Sequence, residues 1–130
     1  MKEEFSELSF KVIGCAIKVH QSLGPGLLES VYRQCLAIEM EIRDIPFEIE
    51  VKVPVTYEGR SFEEGYRADF LVSGSLVIEL KSVQKLIPVH KAQILTYMKL
   101  LKAREGLLLN FWVPRLKDDG IRRMVLSLDV

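Results

Sequence analysis

The spacing of apolar positions along the 130-residue chain changes period several times, and each change marks an element. Residues 6–22, "SELSFKVIGCAIKVHQS", repeat at helical spacing. Ser6 is a fair N-cap there, and Phe10, Ile13, Ile17 and Gln21 mark the face expected to turn inward. "LGPG", 23–26, breaks that helix. A second helix is expected from about Leu27 to Arg43, with Leu28, Val31, Cys35, Ile38 and Ile42 on one stripe. Residues 47–57, "FEIEVKVPVTY", then switch to period two. Phe47, Ile49, Val51, Val53, Val55 and Tyr57 point one way, and Glu48, Glu50, Lys52 and Thr56 the other, which predicts a strand with one wet face. Pro54 cannot donate to a ladder, so this strand belongs at an edge or carries a bulge.

"EGRS", 58–61, reads as a turn into a second strand, 66–72, joined to a third, 76–82, by Ser73, Gly74 and Ser75. Residues 87–103 predict a helix with Pro88 near its start. The unbroken apolar run "GLLLNFWV", 106–113, predicts a strand buried on both faces, and 121–130 a final edge strand. The order α, α, β, β, β, α, β, β implies an α/β fold: a mixed β-sheet with flanking helices and a right-handed crossover. One domain over residues 1–130 is expected, since the chain has no linker, repeat or low-complexity segment.

Composition narrows the class. The hydrophobic fraction is 48% and the charged fraction 28%, values typical of globular proteins. No apolar stretch approaches a membrane span, and "MKEEFSELSF" is too acidic for a signal peptide, so a cytoplasmic protein with no membrane partner is expected. Cys15 and Cys35 lack metal-ligand spacing and read as small buried residues. Net charge is zero, which argues against indiscriminate polyanion binding. Residues 1–65 carry 7 basic and 12 acidic side chains, and residues 66–130 carry 11 and 6. This is either ordinary clustering on solvated faces or a weakly basic face suited to a phosphate ligand.

The hairpin "YRADFLVSGSLVIELKS", 66–82, holds charge where plain strands would hold valine. Tyr66, Ala68, Phe70 and Val72 should share one face, as should Leu76, Ile78 and Leu80. Matching those faces pairs Val72 with Leu76 and Phe70 with Ile78, which sets Asp69 opposite Glu79 and Arg67 opposite Lys81. Like charges directly across a ladder are destabilising. A divalent cation between the carboxylates would remove the conflict, and hard oxygen ligands suit Mg²⁺ or Mn²⁺. The alternative is a salt-bridged face, with Asp69 diagonal to Lys81 and Glu79 to Arg67.

Asp69 followed by Glu79 and Lys81 as E-x-K resembles the PD-(D/E)XK nuclease superfamily. "GLLESVY", with Gly26, Glu29 and Tyr32, resembles the signature of its GxxExxY proteins, as do "VHQSLGPGLLESVY", "YRADFLV", "IELKSV" and "NFWVP". The resemblance implies a restriction-endonuclease-like α-β-β-β-α-β core with an extra N-terminal helix. It implies metal ligation by Asp69, Glu79 and the carbonyl of Leu80, with Lys81 near the attacking water and the phosphate. The superfamily's Pro-Asp is Ala68-Asp69 here, which removes a turn preference but no ligand.

Glu29 opens the second helix, where the macrodipole favours an anion. It is either a stabilised surface acid or an added ligand for the metal or its water. Tyr32, one turn on, is packing or function. His90, Gln93 and Tyr97 share a face of the later helix. Gln93 and Tyr97 resemble the Q-x-x-x-Y element of exonuclease-like members, whose residues touch substrate phosphate or hold the site; the other reading is a helix pinned to the sheet by polar tips. His20 falls within the resemblance, or simply favours the negative pole at a helix end. Asn110, inside an apolar strand, must find partners if buried.

The expected activity is a Mg²⁺- or Mn²⁺-dependent phosphodiesterase acting on nucleic acid, DNA foremost, with weak grip by the isolated chain. Asp69, Glu79, Lys81, Glu29 and Gln93 would carry it. The alternative is a nuclease-fold module that binds nucleic acid or assembles with protein and turns nothing over. A second copy or a protein partner would supply the contacts that a neutral surface lacks.

Overall fold

The computed structural model describes residues 6–126. Two helices lead, α1 (Glu7–Leu23) and α2 (Glu29–Ile42). Strands β1 (Phe47–Lys52), β2 (Val55–Tyr57), β3 (Arg60–Phe62), β4 (Arg67–Val72) and β5 (Leu76–Lys81) follow. Helix α3 (Pro88–Leu101), β6 (Glu105–Asn110), the short α4 (Leu116–Asp119) and β7 (Ile121–Val125) complete the order. Five strands form one mixed sheet, β1-β4-β5-β6-β7, while β2 and β3 form a separate two-stranded arm. Among the described strands only β5 and β6 pair in parallel, and α3 makes the crossover between them.

Helices α1 and α2 cover one sheet face, enclosing Tyr32, Leu36, Phe70, Ile78, Leu80 and Phe111 among others. Helix α3 covers the other, packing Ile94, Tyr97 and Met98 on Val77 and Leu108. All six residues of β6 are buried, as a strand with helices on both faces requires. Each of its fully buried leucines contributes about 1.5–3 kcal/mol. This is the predicted mixed α/β sheet with flanking helices, and its element order accords with a restriction-endonuclease-like fold.

Several local expectations are corrected. The inward face of α1 is Val12, Ile13, Ala16, Val19 and His20. Phe10 is 56% exposed with the Arg123 guanidinium over its ring, and Gln21 is exposed, because Ser6 caps Ser9 and Ser9 faces inward. On α2 the buried stripe is Tyr32, Leu36, Ala37 and Met40, leaving Leu28, Ile38 and Ile42 exposed and Cys35 half-buried. The apolar positions of this helix span more than one stripe, and the sheet selects the one that carries Tyr32.

The strand expected over 47–57 divides at Val53 and Pro54, where the missing amide ends the pairing. The "EGRS" turn leads into the arm strand β3, not into the main sheet. Strand β6 stops at Asn110, three residues early, and α4 follows a turn that periodicity had not marked. The final strand is described to Val125, and the expectation for residues 127–130 lies outside the described part.

Tyr66, Ala68, Phe70 and Val72 do not share a face. Phe70 and Val72 pack under α1 and α2, whereas Ala68 packs under α3. Glu50, whose place in the register is opposite Asp69, takes φ +50°. That left-handed residue lies in β1 between Phe47, which packs in the first core, and Val53, which packs in the second, and β4 changes cores opposite it, at Asp69.

Candidate active site at a fork in the sheet

The β4–β5 register is the expected one, Val72 to Leu76, Leu71 to Val77 and Phe70 to Ile78, around a three-residue loop. Beyond Phe70 the strands part, so the expected ladder pairs Asp69–Glu79 and Arg67–Lys81 do not form among the described residues. There the carboxylates take over the ladder: Glu79 Oε2 accepts from the Asp69 amide at 2.6 Å, and Asp69 Oδ2 accepts from the Leu80 amide at 2.8 Å. Each acid thus satisfies the other strand's backbone, which explains how two facing acids are tolerated in a sheet.

The salt-bridged alternative does not form. The cation on Asp69 comes from α2: Arg33 Nη1 lies 3.0 Å from Oδ1, and Arg33 Nη2 lies 3.5 Å from Glu50 Oε1. Arg33 was not anticipated. The available signal was its position one turn after Glu29, on the same side of the helix.

Glu79 is 6% exposed. Burial, and next the charge of Asp69, push its pKa up to about 8, although the Asp69 amide and Lys81 oppose the shift. The pKa of the Tyr97 phenol, on α3, is also raised, by burial first and then by Glu79, Tyr66 and Asp69. The Leu80 carbonyl can be placed from the ladder. Lys81 O accepts from the Phe111 amide of the turn after β6. Successive residues of a strand direct their polar groups to opposite sides, so the Leu80 carbonyl points into the fork.

The remaining candidates lie around this centre in distinct ways. Glu29 Oε2 accepts from the Ser82 amide, beside Lys81. Ser82 Oγ donates to Leu27 O, stitching the α1–α2 loop to the end of β5. Tyr32 is buried, stacked on Phe111 at 4.4 Å, and its hydroxyl donates to Gly24 O at 2.5 Å and accepts from the Leu27 amide. With Gly26 at φ +104°, Tyr32 shapes the loop that delivers Glu29. His20 is buried and donates from Nε2 to Phe111 O. His90 turns to the start of its own helix, where Nδ1 accepts from the Ile87 amide. Gln93 and Tyr97 line a concavity between α3 and Tyr66.

Asn110 is partnered at both amide atoms: Nδ2 donates to Val83 O, and Oδ1 accepts from the amides of Val83 and Trp112. It thereby fixes the segment after β5. Trp112, 47% exposed, shares a second concavity with Glu29 and Ser82. Cys15 is buried and Cys35 half-buried, and both are free thiols.

Two carboxylates and a carbonyl make an oxygen-only donor set, which fits a hard divalent cation completed by water. Among the described residues no group of three or more His, Cys, Asp or Glu is gathered to hold a metal. The fit therefore rests on Asp69, Glu79 and Leu80, with Arg33 competing for Asp69.

A forked mixed sheet that presents an acid on one strand and E-x-K on the next defines a nuclease-like α/β protein. A family model described as the PD-(D/E)XK nuclease superfamily matches residues 6–124, and the chain belongs to that superfamily. No curated protein and no solved structure matches it. Among the described residues no helix is long and apolar enough to cross a membrane.

Proposed function

We propose that the protein is a metal-dependent phosphodiesterase acting on nucleic acid. The reading is carried by one observation: two acids of facing strands converge at the fork, and Glu79 is held there against its own ionisation. Asp69, Glu79 and the Leu80 carbonyl would hold Mg²⁺ or Mn²⁺. Bound there, the metal supplies a Lewis acid and a water of lowered pKa.

The chain's own residues do the rest. Binding requires Glu79 to release its proton and Arg33 to yield Asp69 Oδ1. Freed from Asp69, the Arg33 guanidinium can meet a phosphate bidentately. Lys81, half-buried two residues after Glu79, stabilises charge that develops on the phosphate or orients the attacking water. Glu29 and Gln93 approach from the flanking helices. The finer placement among GxxExxY proteins rests on Gly26, Glu29 and Tyr32, which together build one loop. DNA as substrate, a single domain over 1–130, a cytoplasmic setting and a second copy or protein partner belong to the same proposal.

The test pairs calorimetric metal binding with single-turnover cleavage of a DNA and RNA panel. Lys81→Ala should keep Mn²⁺ binding and lose about 100-fold or more in cleavage, the scale of one charge-stabilising group. Glu79→Gln should lose both. A Lys81→Ala protein that cleaves like wild type removes the mechanism. The second reading, a binding or assembly module without turnover, is favoured by the Arg33–Asp69 ion pair, which neutralises a ligand position. It predicts metal-independent binding that is indifferent to Lys81.

A further inference from the structure

On the far side of the fork, β1 and β4 hold two cations against each other. Lys52 stands directly opposite Arg67 in their ladder. Both are exposed, and neither joins an ion pair among the described residues. Like charges in opposed positions weaken a ladder, so this pair is kept at a cost in stability. The two line a concavity of about 160 Å³. Glu63 also lines it and pairs with neither. Arg67 precedes Asp69 by two residues, an advance of about 6.6 Å along a strand.

Tyr66 lines this concavity and also a larger one, of about 360 Å³, with Val53, Val55, Gln93, Thr96 and Tyr97. The lining of the larger one holds no formal charge, and its aromatic walls suit a flat, uncharged ring. Tyr66 is 48% exposed, which leaves its ring open to stacking.

Building on the proposed nuclease reading, we infer that these adjoining concavities form one subsite for an unpaired nucleotide of a single-stranded nucleic acid, its phosphate on Lys52 and Arg67 and its base against Tyr66. The phosphate relieves the cation pair by charge-assisted hydrogen bonds. The base stacks without regard to its identity, because every base presents a π-face. The Gln93 amide can meet its edge. A base kept in a duplex stack cannot enter the groove, so the subsite selects single strands.

Binding is measured without metal, by anisotropy, with three labelled probes: a short single-stranded DNA, its duplex, and an abasic strand of equal length. The single strand should bind about tenfold or more above the duplex. Tyr66→Ala should weaken the single strand about tenfold, within the range for one stacked base, and leave the abasic strand unchanged. Tyr66→Trp should restore binding. Arg67→Ala should weaken both single strands and reduce the salt slope by about 0.7. Single-strand binding unaffected by Tyr66→Ala overturns the subsite, as does an abasic strand or duplex that binds equally well. Tyr66-dependent binding without metal-dependent cleavage upholds the subsite and refutes the nuclease reading. Absence of binding to every probe overturns the inference.

Discussion

Replacing Glu79 by glutamine should stabilise the protein at neutral pH and leave it unchanged in acid. The folded state holds the Glu79 proton up to about pH 8, whereas the unfolded chain releases it near the ordinary 4.5. Between those values the native state binds the extra proton, so this group lowers stability as pH rises, by up to ~1.4 kcal/mol per unit. From pH 4.5 to pH 7 the loss accumulates to about 3 kcal/mol. Glutamine matches the neutral acid in shape, still offers an oxygen to the Asp69 amide, and does not titrate.

The assay is urea denaturation of wild type and Glu79→Gln at pH 4.5, 6, 7 and 8 without metal. The two curves should meet in acid and diverge with rising pH in favour of glutamine. Millimolar Mn²⁺ should then raise the melting temperature of wild type, more at pH 8 than at pH 6, and leave the variant unmoved. Parallel pH profiles, or a variant less stable at every pH, would refute the argument that burial and Asp69 hold Glu79 neutral.

Arg33→Ala should destabilise the metal-free protein by about 1–3 kcal/mol, because Asp69 loses the cation that pairs with it, and should enlarge the stabilisation by Mn²⁺; thermal melts with and without metal check both signs. Asn110→Ala should cost about 2–4 kcal/mol, since the Val83 and Trp112 backbone groups lose their partner, and chemical denaturation reads the loss directly.

The fold was legible where one periodicity dominated. Period-two alternation placed β1, and an unbroken apolar run placed the doubly covered β6. The three-residue loop fixed the register that brings Asp69 toward Glu79. Legibility failed where two patterns fitted equally. On α2 the stripe of Leu28, Ile38 and Ile42 is as apolar as that of Tyr32, Leu36 and Met40, and only contact with the sheet decides between them. The site was readable through its charge anomaly, two acids in strands. What the acids do with their charge was not, because Arg33 meets Asp69 across 36 residues of chain and Glu50 takes a left-handed backbone angle. Local spacing contains neither fact.

The fork has a consequence for how the sheet reports on its own chemistry. The zipper between β4 and β5 does not end in a frayed ladder; it ends in two amides, those of Asp69 and Leu80, whose acceptors are titratable side chains. Whatever draws a carboxylate away leaves an amide without its acceptor. Exchange of those two amide protons with solvent is therefore tied to the protonation and occupancy of the fork. In isotope-labelled protein, two backbone resonances should follow the state of the carboxylates with no added probe.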